Sequence, residues 1–305
     1  MSMGETQIFL YFCNKSILNI DDDMKKCRII LVVLWMSLQV NAQQSEDGKL
    51  LLTTHNTITG IGVVRVLDPY LSPLYYSGLG VNHRIESARF FSPTNLKLSM
   101  QSQLNYAVNL LSNPTGSSAM LYAGVNYGWG ANYHFKPSNN FRIMAGGLWD
   151  VDFALKEVPR NQNNPFNMDL ATNLNLTGQF IYDWPLKKRT LKLRAIYQTP
   201  FLGCMYVPYE GASYYEMFQL GDMSNTFHFS SFHNRQGLKQ QYTVDVPLRN
   251  MTWKFGLKVL NLKYKANGLT FVQNETSLVI GTTFDFVRFS GRVKRAPANF
   301  IDVNQ

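Results

Sequence analysis

The sequence is poor in the features that usually announce chemistry. Cysteine occurs three times in 305 residues, at Cys13, Cys27 and Cys204, and no Cys-x-x-Cys pair, zinc-type spacing or glycine-rich phosphate loop is present. No metal or cofactor site is therefore expected. Proline- or serine-rich linkers and low-complexity tracts are missing too, so nothing divides the chain into several domains. Long apolar runs are scarce. The one strongly hydrophobic stretch without alternation, Ile29 to Leu38, falls well short of the roughly twenty residues a membrane-crossing helix needs.

That stretch has another use. Met24, Lys25, Lys26 and Arg28 precede it and Val40-Asn41-Ala42 follows it, the layout of a signal peptide cleaved after Ala42. Because the basic flank opens at Met24, residues 1–23 are expected to be a mis-assigned N-terminal extension, 24–42 the signal peptide, 43–290 one β-barrel domain and 291–305 a periplasmic tail. Cys27 lies upstream of the cleavage point, so it is not a lipid anchor. Cys204 then stands alone, which leaves the mature chain without an intramolecular disulfide. The net charge of +9 survives removal of the leader, whose acidic and basic residues balance. Lys and Arg are scattered singly or sit in turns such as Lys187-Lys188-Arg189 rather than forming a stripe. Nucleic acid is not an expected partner; anionic membrane lipid is.

What the chain has in quantity is alternation. Leu96, Leu98, Met100, Leu104, Tyr106, Val108 and Leu110 share one parity, and Lys97, Ser99, Gln101, Gln103, Asn105 and Asn109 the other. Side chains in a strand alternate between faces, so this run is a long two-faced strand. The pattern repeats at 55–67, 77–91, 119–135, 141–156, 168–184, 190–207, 238–246, 251–264 and 274–288, giving ten strands, with eight or twelve as neighbouring counts. A soluble sandwich also alternates. Length beyond the usual five or six residues, Trp and Tyr placed near strand ends (Trp129, Trp149, Tyr182, Trp184, Trp253), and connections that alternate short and long favour a membrane barrel. The short turns are expected at Ser92-Pro93, 136–140, 185–189 and 247–250, and the longer loops at 68–76, 111–118, 157–167, 208–237 and 265–273. The fold expected is all-β, a single antiparallel transmembrane β-barrel in the outer membrane of a Gram-negative bacterium, with the longer loops outside.

Tyr70-Leu71-Ser72-Pro73-Leu74, Asn126-Tyr127-Gly128-Trp129, Ala145-Gly146-Gly147, Asn163-Asn164-Pro165, Ser213-Tyr214-Tyr215-Glu216-Met217-Phe218 and Ser231-Phe232-His233-Asn234 occur in order along the chain. Together they resemble a domain-of-unknown-function family (domain of unknown function 3316) of secreted, barrel-like proteins from Bacteroides-type Gram-negative bacteria. The resemblance implies export and an envelope location, and carries no functional residues with it. One departure from many barrels is that the chain continues past the last strand to Gln305.

Two constellations are candidates for chemistry. His228, Ser230, Ser231, His233 and Asn234 contain the residue types of a serine hydrolase, where His takes the hydroxyl proton and a third group orients the ring. His228 and His233 lack a third metal ligand. Tyr209, Glu210, Tyr214, Tyr215, Glu216 and Asp222 put aromatics and carboxylates on one long external loop, a composition suited to a sugar or a cation. Against both stands the reading that they are loop packing. Arg84, Glu86, Arg142, Asp150, Asp152, Lys192 and Arg194 fall on the inward parity, where pairing across the lumen would satisfy them. Ten strands enclose too narrow an interior for bulk diffusion. The role expected is a non-enzymatic envelope or surface-contact barrel, with a small lipid-acting enzyme or a narrow solute channel as alternatives. The partners expected are outer-membrane lipid, lipopolysaccharide and the barrel assembly machinery.

Overall fold

In a computed structural model the described residues are 49–287, apart from Pro93, Asn163, Lys188, Ala212, Asp222, Ser224, Arg249 and Asn250, together with 299–301 and Val303. The leader and most of the C-terminal tail, on which the processing expectations rest, lie outside them. The chain runs β1 (Lys49–Asp68), β2 (Ser72–Phe90), β3 (Leu98–Ser112), β4 (Ala119–Ser138), β5 (Phe141–Glu157), β6 (Phe166–Pro185) and β7 (Thr190–Tyr206), then a single helical turn, α1 (Tyr214–Phe218). It continues through β8 (Phe227–Ser231), β9 (Arg235–Pro247), β10 (Thr252–Ala266), β11 (Leu269–Val287) and β12 (Asn299–Ile301). Neighbours pair antiparallel around the ring, and β1 closes on β11 from Leu52 opposite Val287 to Leu67 opposite Val272.

The ring has ten staves. β8 and β9 both run antiparallel to β7 and together make one of them: Tyr206 faces Phe227, Leu202 faces Ser231, and the ladder resumes with Gln198 facing Lys239. Between those points β9's side holds an excess of residues, so Phe232–Asn234 bulges out as a turn. Pro200 sits at the break. It has no N–H to give to a ladder and is tolerated in sheets at bulges, and Phe201 beside it is skipped in the pairing with β6. The expected loop 208–237 therefore ends earlier, at Thr226, and the Ser/His-rich segment begins as strand. β12 lies outside the ring, parallel to Lys49–Leu51 at the short-turn end.

Two of the expected long loops are tight hairpins. Strands β10 and β11 are joined by Asn267-Gly268 alone, with φ of 50° and 76°, the left-handed pair that a two-residue type I′ turn requires. β1 and β2 are joined by three residues, with Asp68 Oδ1 accepting from the Tyr70 amide at 3.1 Å. The Asn-Gly dipeptide was a legible signal, outweighed by the expectation of regular loop alternation. Trp129 and Trp149 also depart from expectation. They face each other at mid-height of β4 and β5, away from either interface, and the Trp149 indole N–H donates to Thr172 Oγ1 at 2.6 Å. Cys204, expected to stand alone, is disulfide-bonded.

Burial is inverted relative to a soluble protein. Leu278 is 74% exposed, and Ile61, Val63, Leu79, Val108, Leu110 and Phe255 share the outer surface with it. Gln101, Gln103, Gln179, Asn173, Asp150 and Lys254 are buried within. Such an outer surface matches hydrocarbon, and closure pairs the backbone polar groups that hydrocarbon cannot satisfy. Leu278→Arg is expected to destabilise the folded barrel by roughly 2–4 kcal/mol, the cost of a cation near the bilayer midplane. Urea unfolding in lipid vesicles measures it; a near-neutral change, normal for an exposed surface leucine, would contradict the membrane-facing assignment.

Candidate functional site

The lumen is organised in layers. At the long-loop end Val64, Val66, Tyr76, Leu111, Met120, Met205 and Phe271 form an apolar plug, to which the loop residues Tyr70, Leu71, Val158 and Val207 add from above. At the opposite end, side chains such as Gln101, Gln103, Gln179 and Asn132 fill the section and bond one another: the Asn132 and Gln179 amides both donate to Gln101 Oε1, at 2.8 and 3.1 Å. Between these layers is a cavity of about 150 Å³ lined by Asn82, Arg84, Asp152, Arg235, Lys239, Lys258 and Glu275 among others.

The charges around that cavity are paired, as their inward parity suggested. Arg84 donates to Glu86 at 2.6 Å, Lys258 to Glu275 at 3.0 Å and Arg235 to Asp152 at 3.2 Å, while Lys239 meets Asp150 at 3.5 Å. Lower down, Lys254 contacts Asp245 at 2.5 Å with Arg194 at 3.8 Å, and Arg142 reaches Asp183 at 2.9 Å. Asp150 and Asp152 point the same way from β5. The amides of Asn126 and Asn173 bridge them, each donating to both carboxylates at 2.6–3.1 Å. Carboxylates so fully engaged are held as acceptors and counterions, an arrangement suited to keeping like charges together rather than to moving protons.

A second network, which alternation alone did not reveal, fastens the plug. Lys156, 0% exposed, lies 2.5 Å from Asp68 and 2.8 Å from Asp169, with its ammonium 4.2 Å from the Phe271 ring centroid. Asn167 donates to Asp68 at 2.8 Å and the Tyr264 hydroxyl to Asp169 at 2.9 Å. Asp68 stands at the end of β1, and only the folded ring brings it to Lys156, which joins it to Asp169.

The external loop candidates divide. Tyr214 is an anchor: its hydroxyl donates to Asn167 Oδ1 at 2.7 Å and accepts from the Met168 amide at 2.6 Å, and its ring stacks on Phe166 and Phe218. Burial pushes its phenol well above the ordinary tyrosine range, so it stays neutral and able to donate. Glu216 closes a capping box with Ser213, accepting from the Ser213 amide at 2.8 Å while the Ser213 hydroxyl accepts from the Glu216 amide. Tyr209 packs against buried Met217. Tyr215 and Glu210 remain exposed, and Asp222 lies outside the described residues. The loop's stems are joined by the Val207 amide to Thr226 O at 2.8 Å. The Asn267 side chain ties them down by donating to Val207 O and Asn225 O.

The Ser/His cluster, expected within the 208–237 loop, is split by β8. Pairing puts His228 and Ser230 on the inner face, opposite Met205 and Gly203, and Ser231 on the outer face with Leu202. In the following turn His233 approaches Ser231, Oγ to Nδ1 at 2.6 Å. Asn234 does not orient that ring; it accepts from the Ser231 amide and donates to Phe229 O. Among the described residues no three His, Cys, Asp or Glu are placed to hold a metal ion.

These features define a class: a closed, ten-staved antiparallel β-barrel of transmembrane type, with a filled, ion-paired lumen and one anchored long loop. Within it, the chain belongs to the family described as protein of unknown function (DUF3316), whose model matches residues 28–293. No curated protein matches it. Among solved structures it is similar to the outer membrane protease OmpT from Escherichia coli, at 8% identity and a TM-score of 0.40, covering 80% of this chain and 99% of that one. It is also similar to Neisserial surface protein A (10% identity, TM-score 0.34, 80% and 100% covered). A third is the translocator domain of the autotransporter NalP from Neisseria meningitidis (12%, 0.39, 87% and 95%). These likenesses are distant, and the barrel assignment rests on the strand pairing.

Lys156→Met leaves buried Asp68 and partly buried Asp169 without their cation and is expected to cost about 3–5 kcal/mol in unfolding measurements. Tyr214→Phe removes both hydroxyl bonds, an expected loss of about 1–2 kcal/mol, and should speed protease cleavage within 207–226 while the barrel survives.

Proposed function

We propose that this protein is an outer-membrane barrel of non-enzymatic, non-conducting character that presents the 207–226 loop as a contact surface outside the cell. The observation that carries this is the division of labour in that loop. Tyr214, Glu216 and Met217 fix α1 over the plugged mouth, while Tyr215, Phe218 and Leu220 stand out from it at 65%, 52% and 67% exposure. Apolar groups held outward on a fixed scaffold form a surface that makes contacts with little ordering cost. The plug above and the glutamine-rich section below support a lumen that does not conduct.

Refolded protein in planar bilayers is expected to show no stable conductance steps. Tyr215→Cys on intact cells is expected to react with a membrane-impermeant maleimide beyond the background of the parent chain. Sustained conductance would overturn the first part of the reading, and labelling only after lysis the second.

One observation favours a second reading, an enzyme acting on membrane lipid: the 2.6 Å contact between Ser231 and His233 on the outer face, at the rim. A serine–histidine pair needs a group that orients the ring, and the cluster's Asn234 is spent on the turn. Under the first reading Ser231→Ala leaves lipid release from vesicles unchanged; abolished release would establish the second.

A further inference from the structure

The outer wall carries a recess of about 550 Å³ that the functional reading does not use. It straddles β5, β6, β7, β9, β10 and β11 toward the short-turn end. Strand pairing places Phe141, Tyr182, Leu193, Val244 and Phe255 in one row across the wall, and Phe180, Ala195, Tyr242 and Leu257 in the next. Ala195 is the small member of its row and makes the dip. The walls are braced: Phe180 meets Tyr197 edge-on at 6.0 Å, and Tyr197 meets Tyr242 at 5.9 Å.

We propose that this recess is a binding site for one anionic phospholipid, its acyl chain lying over Ala195 and its phosphate at the β6–β7 turn. A hollow facing hydrocarbon must be filled, since its lining otherwise forfeits dispersion contacts, and a flexible chain fits a braced, aromatic-sided slot without reshaping it. Depth agrees. Ala195 lies six residues along β7 from Arg189; at about 3.3 Å per residue and a tilt of about 40° that is roughly 15 Å, half the hydrocarbon thickness and so one leaflet. At the foot of the slot Lys187 and Arg189 are exposed in the turn beside Trp184, which faces outward. Two cations beside an interfacial indole complement a lipid phosphate and favour a headgroup with net negative charge. The inference needs the barrel to stand in a bilayer and is independent of the loop-contact reading.

Native mass spectrometry of the intact chain released from nanodiscs tests it, with heat-modifiable gel mobility certifying the fold of each variant. The unaltered chain should retain one phosphatidylglycerol through activation that strips phosphatidylcholine. Ala195→Phe, which fills the dip, should lower that retention at least tenfold, whereas Val81→Phe on the opposite wall should not. The Lys187→Gln, Arg189→Gln double variant should remove the preference for phosphatidylglycerol over phosphatidylcholine while keeping the slot. Equal retention by Ala195→Phe would overturn the site. Equal retention of the two lipids by the unaltered chain would overturn the anionic headgroup. A dimer of the chain that Ala195→Phe abolishes would give the slot to a second copy instead.

Discussion

Closure of the sheet is the constraint on which the rest depends. In hydrocarbon a backbone amide has no water to turn to, so a long strand is admissible only if both of its edges are paired. The β1–β11 ladder meets this condition, and its register, with those of the other ladders, fixes which side chains look outward. A slip of β11 by one residue would turn Leu278 inward and Glu275 and Ser277 toward lipid. The positions of the cavity, the plug and the outer recess follow from these registers taken together around the ring.

An interior built this way has to solve an electrostatic problem. Eight of the inward carboxylates and as many cations cannot simply be left in a narrow lumen, because a buried charge without a partner is costly. The carboxamides act as adapters. Asn126 and Asn173 let Asp150 and Asp152 share a face, and Asn82 gives its amide to Glu275 at 2.6 Å while Lys258 holds the same oxygen. Near the mouth the solution changes from amides to an aromatic frame around Lys156. That change marks the border between a polar interior and an apolar seal.

Much of this was legible in the residues. Parity identified all ten staves and part of the inward charge, Arg84, Glu86, Arg142, Asp150, Asp152 and Arg194 among it, because side-chain alternation has a period of two regardless of partners. It could not say which inward groups would meet, so the joining of Lys156 to Asp68 was out of reach: that contact depends on a β1–β2 turn read as a longer loop. Asn267-Gly268 was readable and was passed over. The Phe227–Ser231 segment was read as part of a loop because a five-residue strand followed by a turn is too short to show a period, and only pairing with β7 separates Ser230 from Ser231. The aromatic loop residues were singled out as a group, but the sequence could not divide anchors such as Tyr214 from the outward Tyr215.

The break at Pro200 has a mechanical consequence. Elsewhere in the described wall each stave is laced to its neighbours over long stretches, so bending forces are distributed around the hoop. Between Gln198 and Leu202 the lacing on the β9 side lapses, and a cylinder with one loosened seam flexes about that seam before it flexes anywhere else. The loosened stretch is short and lies on the Phe232 side of β7, since β8 laces β7 again from Leu202 to Tyr206, just below the root of the 207–226 loop. Thermal breathing of this barrel is thereby steered to the side of the mouth where its longest loop is rooted.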